Sequence, residues 1–243
     1  FSAFLATAHE WGHSLYEQGL PRNSEHWFPW PLGEATSMAV HESQSLFYEN
    51  RLARSGALAQ RWYPRFREAL GRDVWGSAQA FWRDLNPIRA GLTRVEADEV
   101  SYGLHVLLRY RLERAILGGD LKLAELPGAW NDGMKELLGI VPPDDSLGCL
   151  QDIHWPDGAW GYFPTYTLGA MCAAQLFKAA TEADPGIMEG LAEGDFTRLM
   201  AWLRPNVHNK GSLLSTRELL IQATGKPIDA AVFKAHLTSR YTS

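Results

Sequence analysis

Apolar residues recur at helical spacing from the first position: Phe1, Phe4, Leu5 and Ala8 lie three and four apart, and Gly19-Leu20-Pro21 closes the segment. A loop rich in Trp and Pro runs from Trp27 to Gly33. Met38, Leu46, Phe47 and Leu52 predict a second helix from Glu34 to about Arg54, ended near Ser55-Gly56. Shorter helices are expected from Ala57 to Leu70 and from Val74 to Leu85. Asn86-Pro87 breaks the chain, after which Val100, Leu104, Leu107, Leu108 and Leu112 predict a long helix from Val95 to Leu117, with Gly118-Gly119 at its end. Further helices are expected from Leu123 to Leu138, Tyr166 to Ala183, Phe196 to Leu203, Thr216 to Thr224 and Ala230 to Arg240. The turn-rich stretch Val141 to Phe163 is too long for an ordinary connection and reads as a functional loop.

Strict alternation of apolar and polar positions is nearly absent, so the expected class is all-α. No repeat or interdomain linker stands out, and a single domain over 1–243 is expected. Phe1 reads as part of a helix already under way, without an initiator Met, so the chain is expected to be a fragment.

Composition narrows the classes. A chain of 243 residues that is 46% hydrophobic and 21% charged has the profile of a folded globular protein. A net charge of −5 argues against binding nucleic acid, which calls for clustered Lys and Arg. Cys149 and Cys172 form no framework and are expected as free thiols. No apolar run reaches the roughly 18–20 residues of a membrane span, and no signal-like start is visible; a cytoplasmic protein without membrane partners is expected.

The chemistry lies in His9-Glu10-Trp11-Gly12-His13. On a helix, residues four apart project from one face, so His9 and His13 can hold one cation, with Glu10 placed as general base toward a water that the cation acidifies. The apolar flanks suggest a buried helix, whose polar groups metal binding would compensate; the alternative is a chance match on a surface helix. The metzincin continuation is missing, since Ser-Leu-Tyr-Glu-Gln-Gly-Leu follows His13. A third ligand from a second helix is therefore expected, a gluzincin arrangement, with Glu34 and Glu42 as candidates.

The segments HEWGHSLYEQGL, AVHESQSLFYENRLARS, TRVEADEVSYGLHVLLRYRLE, GCLQDIHW and GYFPTYTLG together resemble the M32 family of metallocarboxypeptidases, the Taq-carboxypeptidase type, in order along nearly the whole chain. The resemblance implies a long-helix, neurolysin-like fold and removal of C-terminal residues, with broad specificity, from peptides with a free C-terminus. It implies Zn²⁺ as cofactor, with Co²⁺ the alternative. It assigns the third ligand to the Glu of HES(Q/G), here Glu42, and leaves Glu34 as a helix N-terminal or supporting residue. Arg94 falls in the family's IR-x-x-AD motif, with Thr93 in place of Ile, and is implied to bind substrate. A planar guanidinium suits a carboxylate; the competing reading pairs Arg94 with Asp98 one helical turn on. His154, in the QDxHW motif, is expected to contact substrate or stabilise the oxyanion, and Tyr166, rather than Tyr162, to donate to the tetrahedral intermediate.

Other histidines read as structural. His208 lies where the family has a stretch closer to IHRHG, but Lys210 replaces the second His, so no role is assigned to it; His41 and His105 are expected to be structural. The Trp27 to Trp30 loop is expected to pack rather than bind substrate. Family members are about twice this length, so the N-terminal half, with its DxRxTTR motif, is expected to be missing. A homodimer is expected. Two other classes stay open: a non-catalytic metal-binding or dimerisation fragment, and a di-iron bundle, for which Glu10 and His13 supply one Glu-x-x-His motif but no second copy is found.

Overall fold

Serine caps and glycine stops write most of the helix ends. Ser37, Ser55, Ser77 and Ser215 each accept a backbone N–H of the first turn with the side chain, satisfying a donor that the helix itself cannot. At the other ends, Gly71, Gly119, Gly139, Gly194 and Gly225 take left-handed φ. The computed structural model describes residues 1–23 and 30–242. Trp27, Phe28 and Pro29, and the packing expected of them, lie outside the described residues.

The helices are α1 (Ser2–Gly19), α2 (Met38–Leu46), α3 (Gly56–Leu70), α4 (Ala78–Leu85), α5 (Tyr102–Gly118), α6 (Leu126–Leu138), α7 (Pro164–Ala183), α8 (Gly186–Glu193), α9 (Thr197–Asn206), α10 (Thr216–Thr224) and α11 (Ala230–Tyr241). No strand occurs among the described residues, as the all-α expectation required. No described helix is long and apolar enough to cross a membrane. Cys149 and Cys172 are both free and buried.

Three expectations are corrected. The second helix starts at Met38, not Glu34, because Ser37 caps it there, and it passes into π-helical turns over Phe47–Ala53. Glu34 instead pairs with Arg22. The long helix starts at Tyr102, not Val95. Asp98 Oδ1 accepts the N–H groups of Val100 and Ser101, both at 2.9 Å, and this side-chain turn displaces the first helical turn; Arg94–Glu96 is only a 3₁₀ turn. Helix α8 falls where none was expected, its pattern diluted by Gly186 and Gly190.

The chain divides into two compact units, one of Phe1–Asn86 with the chain from Leu168 on, the other of Pro87–Thr167. The first has a core of Tyr16, Val40, Phe47, Leu52, Cys172, Leu176, Leu199, Leu203 and Leu219, and an aromatic cluster around Phe81. The second is built on Leu108, Leu112, Trp130 and Met134 of α5 and α6.

Candidate metal centre

Two glycines let three backbones meet at the middle of the first unit. A Cβ on Gly12 of α1 would lie 2.4 Å from the carbonyl oxygen of Gln44, and one on Gly169 of α7 would lie 2.7 Å from Cβ of Glu42. Residues 42–45 of α2 are thus gripped from both sides, and Glu42, Ser43, Gln44 and Ser45 are all buried. The motif's glycine sets the helix separation that its histidines need.

Across this contact His9 Nε2 lies 3.5 Å and His13 Nε2 3.8 Å from Glu42 Oε2. One ligand atom from each of the three residues falls within 4.8 Å of the others, and among the described residues no other His, Cys, Asp or Glu group of three does so. Bonds near 2.1 Å at tetrahedral angles place ligand atoms about 3.4 Å apart, so the donor set of two imidazoles and a carboxylate fits a zinc-like cation. Ser45 Oγ donates to Glu42 Oε2 at 3.0 Å and steadies the carboxylate.

Glu10 lies on the same helix and is exposed, as is Trp11 at 47%. Helix α1 therefore buries one face, through Leu5, Gly12, Tyr16 and Gly19, and leaves the other open, which corrects the expectation of a buried helix.

Each motif histidine is held through its other ring nitrogen. His9 Nδ1 lies 2.9 Å from Glu49 Oε2, Glu49 being carried by the π-helical turns. His13 Nδ1 lies 2.6 Å from Nδ1 of His41, whose Nε2 lies 2.8 Å from Glu17 Oε1. Burial lowers the pKa of His9, but the Glu49 hydrogen bond and the charges of Glu49, Glu42 and Glu10 outweigh it, and the net shift is upward. Burial, helped by His41 and His9, pushes His13 down to about 4, so this imidazole is neutral at ordinary pH. Glu49 was not picked out from the sequence, although seven residues after Glu42 is nearly two full helical turns and marks the same face.

His208 is fully buried against Gly19, with Nε2 3.1 Å from Gln44 Oε1. It packs the back of the α1–α2 pair.

In the second unit Arg94 does not pair with Asp98. Its Nε and Nη2 donate to Asp152 Oδ1 at 3.0 and 2.8 Å, and its Nη1 donates to Tyr102 Oη at 2.8 Å. Arg109, wholly buried, donates to the other oxygen of Asp152 and to Gln151 Oε1. The two guanidinium groups outweigh burial and hold the Asp152 carboxyl below its usual range. Tyr166, on the first turn of α7, covers the Arg94 guanidinium at 4.6 Å, and its hydroxyl lies 3.0 Å from His154 Nε2. Arg94, His154 and Tyr166 thus come together in one cluster. Burial, followed by the Arg94 charge, lowers the His154 pKa. His105 is fully buried, and its backbone carbonyl accepts from Arg109 Nη1 at 2.9 Å.

A profile of the family described as carboxypeptidase Taq (M32) metallopeptidase matches residues 1–241. The chain is 43% identical over 243 residues to thermostable carboxypeptidase 1 of Thermus thermophilus, covering 100% of this chain and 47% of that protein. It is 36% identical over 245 residues to carboxypeptidase 1 of Bacillus subtilis, covering 48% of it. The solved metallocarboxypeptidase 1 of Trypanosoma cruzi superposes with a TM-score of 0.92 at 39% identity, over 98% of this chain and 50% of that one. An M32 carboxypeptidase from Deinococcus radiodurans R1 gives 0.91 at 38% identity, over 98% and 48%. The chain spans about half the length of the relatives it matches.

Proposed function

The chain belongs to the carboxypeptidase Taq (M32) metallopeptidase family, and from this premise we propose that it hydrolyses the C-terminal peptide bond of peptides, with His9, His13 and Glu42 holding a divalent cation. The observation that carries the reading is the convergence of these three donors on the open helix that also bears Glu10. Zn²⁺ is the favoured ion, because two imidazoles and one carboxylate suit it; Co²⁺ shares that preference. When bound, such an ion supplies Lewis-acid polarisation of the scissile carbonyl and lowers the pKa of water.

Glu10 is the general base: its exposed carboxylate accepts the proton of the attacking water and returns it to the leaving amine. Arg94 is the receptor for the substrate's terminal carboxylate, through the guanidinium hydrogens that Asp152 and Tyr102 do not take. His154 and Tyr166 are hydrogen-bonded to each other; with His154 Nε2–H donating to the phenol oxygen, Tyr166 keeps its own hydrogen to donate toward the developing oxyanion, and His154 orients it. Recognition through a carboxylate common to all peptides leaves side-chain specificity broad.

The test is hydrolysis of an N-blocked dipeptide by the zinc-loaded chain and by Glu10→Gln, with zinc content measured in both. Loss of turnover with zinc retained is expected. Equal rates would falsify the assignment of Glu10. A second reading, metal binding without turnover, is favoured by the span of about half of each relative; zinc uptake by a wild-type chain that cleaves nothing would establish it.

A further inference from the structure

The two motif histidines are held differently at the nitrogen that faces away from Glu42. His9 meets a carboxylate, Glu49, directly. His13 meets a second imidazole, and only beyond it a carboxylate, Glu17. Glu17 is in turn fixed by Arg22, whose Nη1 lies 2.6 Å from the other carboxylate oxygen, and Arg22 also bonds Glu34. A five-member chain therefore runs from His13 through His41, Glu17 and Arg22 to Glu34, with an exposed outer end.

Proton positions along the inner part follow from donor and acceptor chemistry. A carboxylate only accepts, so His41 Nε2, 2.8 Å from Glu17 Oε1, carries a hydrogen. A neutral His41 protonated there presents a bare Nδ1. Two ring nitrogens 2.6 Å apart share one hydrogen, and it must then sit on His13 Nδ1. A neutral His13 protonated at Nδ1 has its lone pair on Nε2, the atom that faces Glu42 Oε2.

We propose that His41 and Glu17 are positioning residues that hold His13 in the Nδ1–H tautomer and so aim its Nε2 lone pair into the metal centre. The proposal rests on His13 being a ligand. Hydrogen bonds to the outer nitrogen of a ligating imidazole fix its tautomer and ring orientation. Here an imidazole is the acceptor, so Glu17 acts on the ligand through one intervening ring.

Two substitutions separate this from simple space filling. His41→Asn places an amide oxygen where Nδ1 stood and can still accept from His13; His41→Gln reaches toward Glu17 but offers nothing at that place. Zinc affinity, measured by competition with a chromogenic chelator, is expected to be retained within a few-fold in His41→Asn and to fall roughly 10–100-fold in His41→Gln. In the metal-free proteins, ¹⁵N shifts of the His13 ring should report Nδ1–H in wild type and His41→Asn, and a shift toward Nε2–H in His41→Gln. Glu17→Ala, at a partly exposed position that leaves the core intact, should move the same ring signal in the same direction. Equal zinc affinity and equal ring shifts in His41→Asn and His41→Gln, or an unmoved His13 signal in Glu17→Ala, overturn the relay. Equal zinc affinity in wild type and His13→Ala instead overturns the metal reading beneath it, so the two failures are told apart.

Discussion

Replacing Gly12 by alanine sets two physical effects against each other at one atom. Alanine within a helix is favoured over glycine by about 1 kcal/mol, so propensity alone predicts a more stable protein. The added Cβ, however, would stand 2.4 Å from Gln44 O and 2.7 Å from Ser45 Cα, where ordinary contact begins at 3.4 Å. Both neighbours are backbone of a buried helix that Gly169 presses from the other side, so neither has a rotamer to change. Helices α1 and α2 must part by about 1 Å, and overpacking of this kind costs about 1–3 kcal/mol, at least as much as propensity returns. Net destabilisation of up to about 2 kcal/mol is expected in urea unfolding of the metal-free protein. Because His9 and His13 ride on the helix that recoils, zinc affinity should fall too, a ligand constellation tolerating only about 0.5 Å of displacement. Gly56→Ala, whose Cβ would meet nothing nearer than 3.9 Å, is the control and should be neutral or stabilising. A Gly12→Ala protein as stable as wild type with unchanged zinc affinity would refute the role given to this contact.

Asp152→Ala leaves two buried guanidinium groups without their shared carboxylate and should cost about 3–5 kcal/mol, read as faster amide exchange along α5. His208 is held neutral by burial, which lowers it to about 4, whereas the unfolded chain protonates it near 6.5. Between those values the unfolded state binds a proton that the folded state refuses, so stability falls as pH falls, by about 1.4 kcal/mol per unit, and is unaffected above about pH 7. His208→Gln should flatten this slope in urea titrations from pH 4.5 to 7.5, and an unchanged slope would contradict it. Zinc at one hundred times its dissociation constant should raise the unfolding free energy by about 2.7 kcal/mol, and a chelator should reverse the gain; no shift would argue against a site in the folded state.

Local signals were legible where the chain itself supplies them. Ser215 and Glu218 form a capping box and Gly225 a stop, and helix α10 has the limits its pattern predicts. The start of α5 was misplaced because Asp98 captures backbone donors that periodicity hands to a helix. At the metal centre, two histidines and a glutamate were readable from their spacing. Between Glu34 and Glu42 the pattern did not choose; family resemblance favoured the residue that the structure places beside both histidines. Gly12 and Gly169 look like ordinary helix glycines until α2 is set against them, since close approach is a property of two segments at once. The same holds for His41, whose partners lie 24 and 28 positions away, and for Asp152, bound to arginines 43 and 58 positions away.

The π-helical turns over Phe47–Ala53 bear on which insertions and deletions this stretch tolerates. A π turn spends one residue more than an α turn, and Arg54 N–H still reaches back five positions to Glu49. Deleting one residue there would restore regular α turns and leave everything beyond facing as it does now. Leu52 and Ala53 would stay in the core and Arg54 would keep the Leu85 carbonyl it now holds at 2.8 Å, whereas Glu49, inside the widened turns, would lose its place beside His9. A homologous sequence one residue shorter at this point should therefore keep the packing of Leu52 and Ala53 while dispensing with the Glu49 support of His9.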